Sequence, residues 1–307
     1  MVKRIVVLGS TGFHGRAIAD RLRRHDDIEL RTLSRRGTAE PLHFAGDVGN
    51  PGSLRGAVDG ADVVIHAVSY VGGDPELAHR INAEGTANIL QAVAGRSQIL
   101  YLSTTSVYGR GPHRGWPETL QPRILSPLSS TRQAAELLVL EAGGTVIRPN
   151  LVYGNGDRWF IPGLVRLTRG IGGQVDSGRA LISVIDVESL GRMVAQLAMH
   201  PPIDAQGRTF HAVNPTPVTV RRVLQECSRA INLTLPERTI SSAEALVAAA
   251  SLGITAHQLS LAAEDNWFDG VEAWSHIAAD VVDEFRLSTQ ATAWYRNALP
   301  DAAATQP

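Results

Sequence analysis

The chain has 307 residues, 44% of them hydrophobic, with 29 Lys and Arg against 30 Asp and Glu. That length suits one large α/β domain, or a domain with a smaller companion, and supplies ample material for a core. The near-zero net charge of −1 gives no electrostatic case for nucleic acid or an anionic membrane, and a single cysteine, Cys227, rules out an internal disulfide and suits a reducing cytoplasm.

Met1-Val2-Lys3-Arg4 leads into Ile5-Val6-Val7-Leu8. This apolar run breaks at Gly9, too early for a secretion signal, and predicts a buried strand. Residues 14–25 suit a helix with Ala17, Ile18 and Leu22 on one face. Glu29 to Leu33, Val63 to Ala67 and Ile99 to Leu102 read as strands, the last two separated by a helical stretch near 76–94. Thr145 to Arg148 is another strand. Strands alternating with helices predict parallel βαβ units and a doubly wound (Rossmann) α/β sheet, with ligands at the C-terminal strand ends. Beyond Gly154, Phe160 to Leu167 reads as helix, Leu181 to Val184 as strand and Val187 to about Met199 as helix. Residues 218–231 and 243–263 also read as helical. Nothing approaches the roughly 20 apolar residues of a membrane span, and no His, Cys or Asp cluster has metal-ligand spacing, so no metal is expected.

Gly9-Ser10-Thr11-Gly12-Phe13-His14-Gly15 follows a predicted strand and opens a predicted helix. Glycines there let the backbone approach a pyrophosphate, and the helix N-terminus offers free N–H groups and positive potential. An acid at the end of the second strand would hold a ribose diol. The residues found are Leu33-Ser34-Arg35-Arg36. Ser34 takes the acid's place and two guanidiniums follow. Arg pairs with phosphate bidentately, which favours a 2′-phosphate and hence NADPH. We therefore expect residues 1–154 to form an NADP-binding Rossmann domain to which 184–214 return. Residues 155–183 and 215–300 should form a smaller, mostly helical C-terminal substrate lobe, and 301–307 a disordered tail.

Further segments follow: Gly46-Asp47-Val48, His66-Ala67-Val68-Ser69, Asn82-Ala83-Glu84-Gly85-Thr86 and Ser103-Thr104-Thr105-Ser106-Val107-Tyr108-Gly109. After these come Pro127-Leu128-Ser129-Ser130-Thr131-Arg132-Gln133-Ala134-Ala135-Glu136 and Arg148-Pro149-Asn150-Leu151-Val152-Tyr153-Gly154. Together with the glycine motif they resemble the extended short-chain dehydrogenase/reductases, the epimerase/dehydratase-like branch, over roughly residues 3–214. The resemblance implies that Gly9, Thr11, Gly12, Phe13, His14 and Gly15 cradle the pyrophosphate. It puts Asp47 and Val48 at the adenine, Ala67, Val68 and Ser69 along the ribose and pyrophosphate, and Asn82 and Ser103 beside the cofactor. Pro149, Asn150 and Val152 then border the nicotinamide. His66 is expected to be a packed residue.

The same resemblance exposes a departure. The family normally carries Tyr-x-x-x-Lys, the Lys four residues ahead of a Glu. Anchoring on Glu136 puts Arg132 in the Lys slot and Leu128 in the Tyr slot. Leu128 cannot move a proton, and Arg132 stays ionised. Arg132 either contacts the ribose or an anionic substrate, or is a helix-surface charge. Thr104 falls in the slot of the Ser or Thr that hydrogen-bonds the substrate oxygen, and no Asp-Glu pair follows it, so a dehydratase is not expected. Tyr108, which packs beneath the active site in the family, is the second catalytic candidate.

Hydride transfer needs proximity, orientation and a polarised carbonyl. Losing a general acid forfeits roughly 10² to 10⁴ in rate. An aryl ketone with an adjacent phenol would supply both polarisation and the proton. The expected activity is therefore an NADPH-dependent ketoreductase acting on an aromatic polyketide, angucyclinone-like, in antibiotic biosynthesis. The chain resembles the atypical ketoreductases of actinomycete aromatic-polyketide pathways. Trp159, Phe160, Leu164, Trp267, Phe268 and Trp274 could line its pocket or simply fill the core. Two alternatives stand beside this one. Arg179, seven residues before Asp186, matches a phosphate-contacting Arg of sugar-nucleotide ketoreductases and epimerases, although Leu181 and Ser183 replace the neighbouring aromatics. A non-catalytic NADP(H)-sensing protein would equally lack the Tyr and Lys.

Overall fold

The computed structural model describes residues 2–202, 205–277 and 284–299. Its centre is a seven-stranded sheet, parallel throughout. The strands are β1 (Lys3–Leu8), β2 (Ile28–Ser34), β3 (His43–Ala45), β4 (Val63–His66), β5 (Gln98–Leu102), β6 (Thr145–Pro149) and β7 (Thr209–Ala212). Their spatial order is β3-β2-β1-β4-β5-β6-β7. The order reverses between β1 and β4, and in a doubly wound sheet the crevice at that reversal is the ligand site.

Continuous apolar runs make the central strands β1, β4 and β5 because both faces are covered. One face carries Ile5, Val7, Ile65, Leu100 and Ile147 against helices α1 (Phe13–Leu22) and α5 (Val187–Met199). The other carries Val6, Leu8, Val64, Ile99, Tyr101 and Val146 against α2 (Gly85–Val93) and α3 (Pro127–Glu141). Fully burying each such side chain contributes about 1.5–3 kcal/mol. The Gly191 backbone of α5 presses on α1 so closely that a β-carbon would sit 2.6 Å from the Ala17 carbonyl oxygen. A third core gathers Ile161, Leu164 and Val165 of α4 (Phe160–Gly170) with Val223 and Cys227 of α6 (Val220–Ile231) and Tyr295 of α9 (Thr289–Ala298).

Several elements differ from expectation. The stretch near 76–94 is three pieces: Pro75–Ala78, a wider π-type turn over His79–Glu84, and α2. Leu181–Ile182 and Val184–Asp186 belong to different sheets, parted at Ser183, whose hydroxyl accepts from Phe268 N at 3.0 Å. Residues 218–231 begin with a strand, Val218–Thr219, and only then become helix. The 243–263 stretch is two helices, α7 (Ser242–Ser251) and α8 (Ala256–Ala263), separated around Gly253 at φ +69°. A second sheet orders Val218–Thr219, Leu181–Ile182, Asn266–Phe268 and His113–Trp116. It draws His113–Trp116, from the first half of the sequence, onto a strand from the second. The expected tail at 301–307 lies outside the described residues. Among the described residues no helix is long and apolar enough to cross a membrane, and no group of three or more His, Cys, Asp and Glu could hold a metal ion.

Candidate active site

The turn after β1 is built around glycine. Gly9 adopts φ +84° and its N–H donates to the Leu33 carbonyl at 2.8 Å. A β-carbon on Gly15 would lie 2.2 Å from the Gly9 carbonyl oxygen, so only glycine lets α1 start this close to the turn. Gly12, at the N-cap, leaves α1 without a side-chain cap. Its first-turn N–H groups and positive dipole end are therefore open to an anion.

At the end of β2 the Ser34 hydroxyl donates to the Arg36 carbonyl at 2.7 Å and meets His43 Nε2 at 3.2 Å. Ser34 thus shapes the turn. Arg35 and Arg36 are exposed, and with Thr11 and Thr38 they line an open depression. Neither makes an ion pair among the described residues. Two unpaired guanidiniums beside a helix N-terminus suit a phosphate. Asp47 accepts from Gly49 N at 2.8 Å, and buried Val48 packs on Gly85. Ala67 continues the ladder from Leu8 at 3.0 Å, and exposed Ser69 follows half-buried Val68. Asn82 is fully committed: it accepts from Tyr70 N at 2.8 Å and donates to Tyr70 O and Thr131 Oγ1, both at 3.1 Å. It shapes the loop after Ser69 and ties it to α3. His66 accepts from Val68 N and meets Thr86 Oγ1 at 3.0 Å, a packed residue whose pKa burial, and then the charge of Arg132, push down to about 3.

Leu128 and Arg132 lie one turn apart on α3. Leu128 is half-buried and Arg132 only 5% exposed, so Arg132 is no helix-surface charge. One NH2 of its guanidinium donates to the Leu102 carbonyl at 2.6 Å and the group lies 5.2 Å above the Tyr101 ring. Its Nε and the other terminal nitrogen have no partner, and neither has the buried Ser103 hydroxyl. A buried charge with unmet donors is costly. These orphaned groups beside the glycine cradle fit the hydroxyl-rich part of a dinucleotide.

Tyr108 is placed differently from a proton donor. Its ring is buried; its hydroxyl accepts from an Arg148 NH1 at 2.7 Å and lies 2.8 Å from His211 Nε2. Arg148 is clamped by buried Glu136 through two bonds, at 3.0 and 2.6 Å. Burial pushes the phenol up to about 12. Satisfied on both sides and buried, Tyr108 sits as a packed tyrosine, as the resemblance implies. Thr104 caps the short turn Thr105–Tyr108, its hydroxyl accepting from Ser106 N at 3.1 Å. Its own proton remains available to another acceptor.

Two cavities meet here. A smaller one of about 160 Å³ is bordered by the polar side chains of Thr104, Ser106, Arg110 and Asp265. A larger one of about 520 Å³, mostly apolar, lies among Phe13, His14, Val152, Phe160 and Leu164 with exposed Trp159 beside it. Both touch Asn150, Leu151 and Leu261. The larger is within the range of small-molecule sites. Of the six apolar candidates, Trp159, Phe160 and Leu164 line it. Phe268 and Trp274 are buried in the core and Trp267 covers Gly115. Asn150 joins the site through a network: it accepts from Thr105 Oγ1 at 2.7 Å and donates to Ser183 O and Asn266 O. Pro149 is buried one residue earlier.

The model of the NAD dependent epimerase/dehydratase family matches residues 5–210. The chain belongs to this family. Among its relatives is the 2-alkyl-3-oxoalkanoate reductase of Stenotrophomonas maltophilia, 27% identical over 267 residues, covering 78% of each chain. Another is the 4-hydroxy-2-methyl-3-oxo-4-farnesyl-3,4-dihydroquinoline-1-oxide ketoreductase of Stigmatella aurantiaca, 28% identical over 242 residues, covering 72% of this chain and 71% of that one. In fold, the chain is similar to a short-chain dehydrogenase/reductase superfamily protein from Agrobacterium tumefaciens solved with bound NAD. There the TM-score is 0.74 at 17% identity, over 96% of both chains.

Within this family member, sequence reasoning missed His113, Asn266 and Leu261, which line the cavities from short elements. Capping boxes at Ser241/Glu244 and Thr255/Gln258 were the readable signal for the two helices that bring Leu261 there.

Proposed function

We propose that this chain is an NADPH-dependent ketoreductase of secondary metabolism that reduces a ketone of an aromatic polyketide, angucyclinone-like, in antibiotic biosynthesis. It resembles the angucyclinone 7-ketoreductase of simocyclinone biosynthesis. The observation carrying this reading is the pair on α3: a leucine where a proton donor is expected, and one turn later a buried arginine with two unpartnered nitrogens. The cofactor side is equipped and the usual acid is missing. Relatives named as reductase and ketoreductase support the reaction class.

Bound NADPH would supply the hydride. Arg35 and Arg36 hold its 2′-phosphate, the α1 N-terminus its pyrophosphate, and Arg132 its ribose hydroxyls. The Thr104 hydroxyl, already accepting from Ser106, turns its proton to the substrate oxygen. The substrate's own phenol, or a water, provides the proton that Leu128 cannot. The apolar cavity beside Trp159 and Phe160 takes the ring system. In domain terms, residues 1–154 with 184–214 carry the cofactor, and 155–183 with 215–300 carry the substrate lobe, in a cytoplasmic protein.

Arg179, the anchor of the sugar-nucleotide alternative, is exposed and lines neither cavity. The test is NADPH oxidation with a peri-hydroxyanthraquinone and, separately, with a keto-sugar nucleotide. Turnover of the first alone is expected. Turnover of the second alone overturns the substrate class, and tight NADPH binding without turnover of either leaves a sensor.

A further inference from the structure

The larger cavity has apolar walls and few polar groups, and most of those are committed. Asp157 accepts from the backbone N–H groups of Trp159, Phe160 and Ile161 and from the Tyr295 hydroxyl. Asn150 serves the network described above. Gln258 closes the capping box with Thr255. His14 is different. It lies in the first turn of α1 and borders the cavity. Its ring packs at 5.1 Å from Phe13, and its nitrogens make no hydrogen bond among the described residues. The ring is half-buried and forms part of the cavity lining.

We propose that the His14 imidazole is the substrate-anchoring residue of this cavity, hydrogen-bonding a neutral oxygen substituent, hydroxyl or carbonyl, on a planar aromatic ring system. The idea rests on the reading given above for the reaction. Burial, and then the neighbouring charge of Arg132, push His14 down to about 4, so at neutral pH it offers one N–H and one lone pair without charge. A neutral imidazole suits a ring hydroxyl or ketone. It adds little for the pyrophosphate, which the backbone N–H groups and dipole of α1 already serve. A small number of placed polar groups in an apolar pocket is what fixes a ligand's orientation. Here His14 fixes one part of the ring system while Thr104, on the adjoining smaller cavity, meets another.

The experiment compares wild type with His14→Leu and His14→Asn. Dissociation constants for peri-hydroxyanthraquinone come from quenching of tryptophan emission, with Trp159 exposed beside the cavity. Constants for NADPH are measured in parallel and report folding. His14→Leu should weaken the anthraquinone about tenfold, as expected for one lost hydrogen bond, and weaken it more than NADPH. His14→Asn should recover most of that loss. Equal anthraquinone affinity in wild type and His14→Leu overturns the proposal, as does an NADPH affinity that falls in step. A wild type that binds the probe but does not reduce it contradicts the ketoreductase reading and leaves this one standing. A wild type that does not bind the probe contradicts both.

Discussion

Arg132 donates to the carbonyl oxygen of Leu102 at 2.6 Å, tying α3 to the C-terminal end of β5. The bond anchors one edge of the guanidinium while Nε and the other terminal nitrogen stay unpartnered at 5% exposure. A buried charge in this condition destabilises the fold by several kcal/mol unless something completes it. In our account a ribose diol does so, and part of the cofactor's binding energy is the relief of that cost.

Replacing Arg132 by Met should therefore raise the Tm of the free protein and shrink the further rise on adding NADPH. NADPH affinity should fall about tenfold, and turnover at saturating cofactor should stay within about tenfold. Calorimetry and steady-state kinetics check this. Abolished turnover with folding and NADPH binding intact would make Arg132 itself catalytic.

Arg35 and Arg36 are predicted to discriminate NADPH from NADH. The double change to Ala should weaken NADPH by roughly 10² and leave NADH nearly unchanged, since each charge-assisted bond contributes about 1.5–3 kcal/mol. Isothermal titration with both cofactors decides it. Equal affinities in the unmodified protein would reject the assignment.

These two predictions draw on features with different visibility in the sequence. The β1 turn was legible because Gly9 and Gly15 meet a steric demand that no other residue meets. The central strands were legible as well, because a sheet covered on both faces requires unbroken apolar runs. The second sheet was not. Leu181–Ile182 and Val218–Thr219 are two residues each, too short to show alternation. The burial of Arg132 and the pairing of the Tyr108 hydroxyl were hidden for another reason. Whether a guanidinium is buried, or a phenol already paired, depends on partners far away in the chain, such as Leu102 and His211.

Tyr108→Phe tests the structural role given to that residue. It strips a partner from both Arg148 and His211 inside the core. Stability should drop by about 1–3 kcal/mol, the cost of unmet buried polar groups, while the reduction rate falls only partly. Urea unfolding beside kinetics separates the two. An inactive but fully stable variant would return Tyr108 to the reacting set.

Acid should unfold this protein early. Burial, first among the causes, holds His14 and His211 at about 4 and His66 at about 3, below the ordinary 6.5. The unfolded chain therefore binds more protons below pH 6.5, so stability falls as the pH drops from 6.5 towards 4. The expected loss is of order 1–3 kcal/mol per imidazole. Asp186, raised by burial to about 6, and Glu118, also raised by burial, act in the opposite sense over part of that window, two groups against three. Urea midpoints from about pH 7.5 down to about 4.5 report the balance over the upper part of the imidazole shifts. A midpoint that does not fall with pH would mean these rings are not held neutral.

The central claim is that the proton comes from the substrate or a water, on the proposal that Leu128 takes the donor's place. The most direct measurement is the reduction rate, at saturating NADPH, of a peri-hydroxyanthraquinone and of its methyl ether, with Thr104→Ala and Tyr108→Phe alongside. Our account predicts that methylation slows reduction strongly, by roughly 10² to 10⁴, while each substitution slows it only partly. A methyl ether reduced at full speed, together with an inactive Tyr108→Phe, would contradict it.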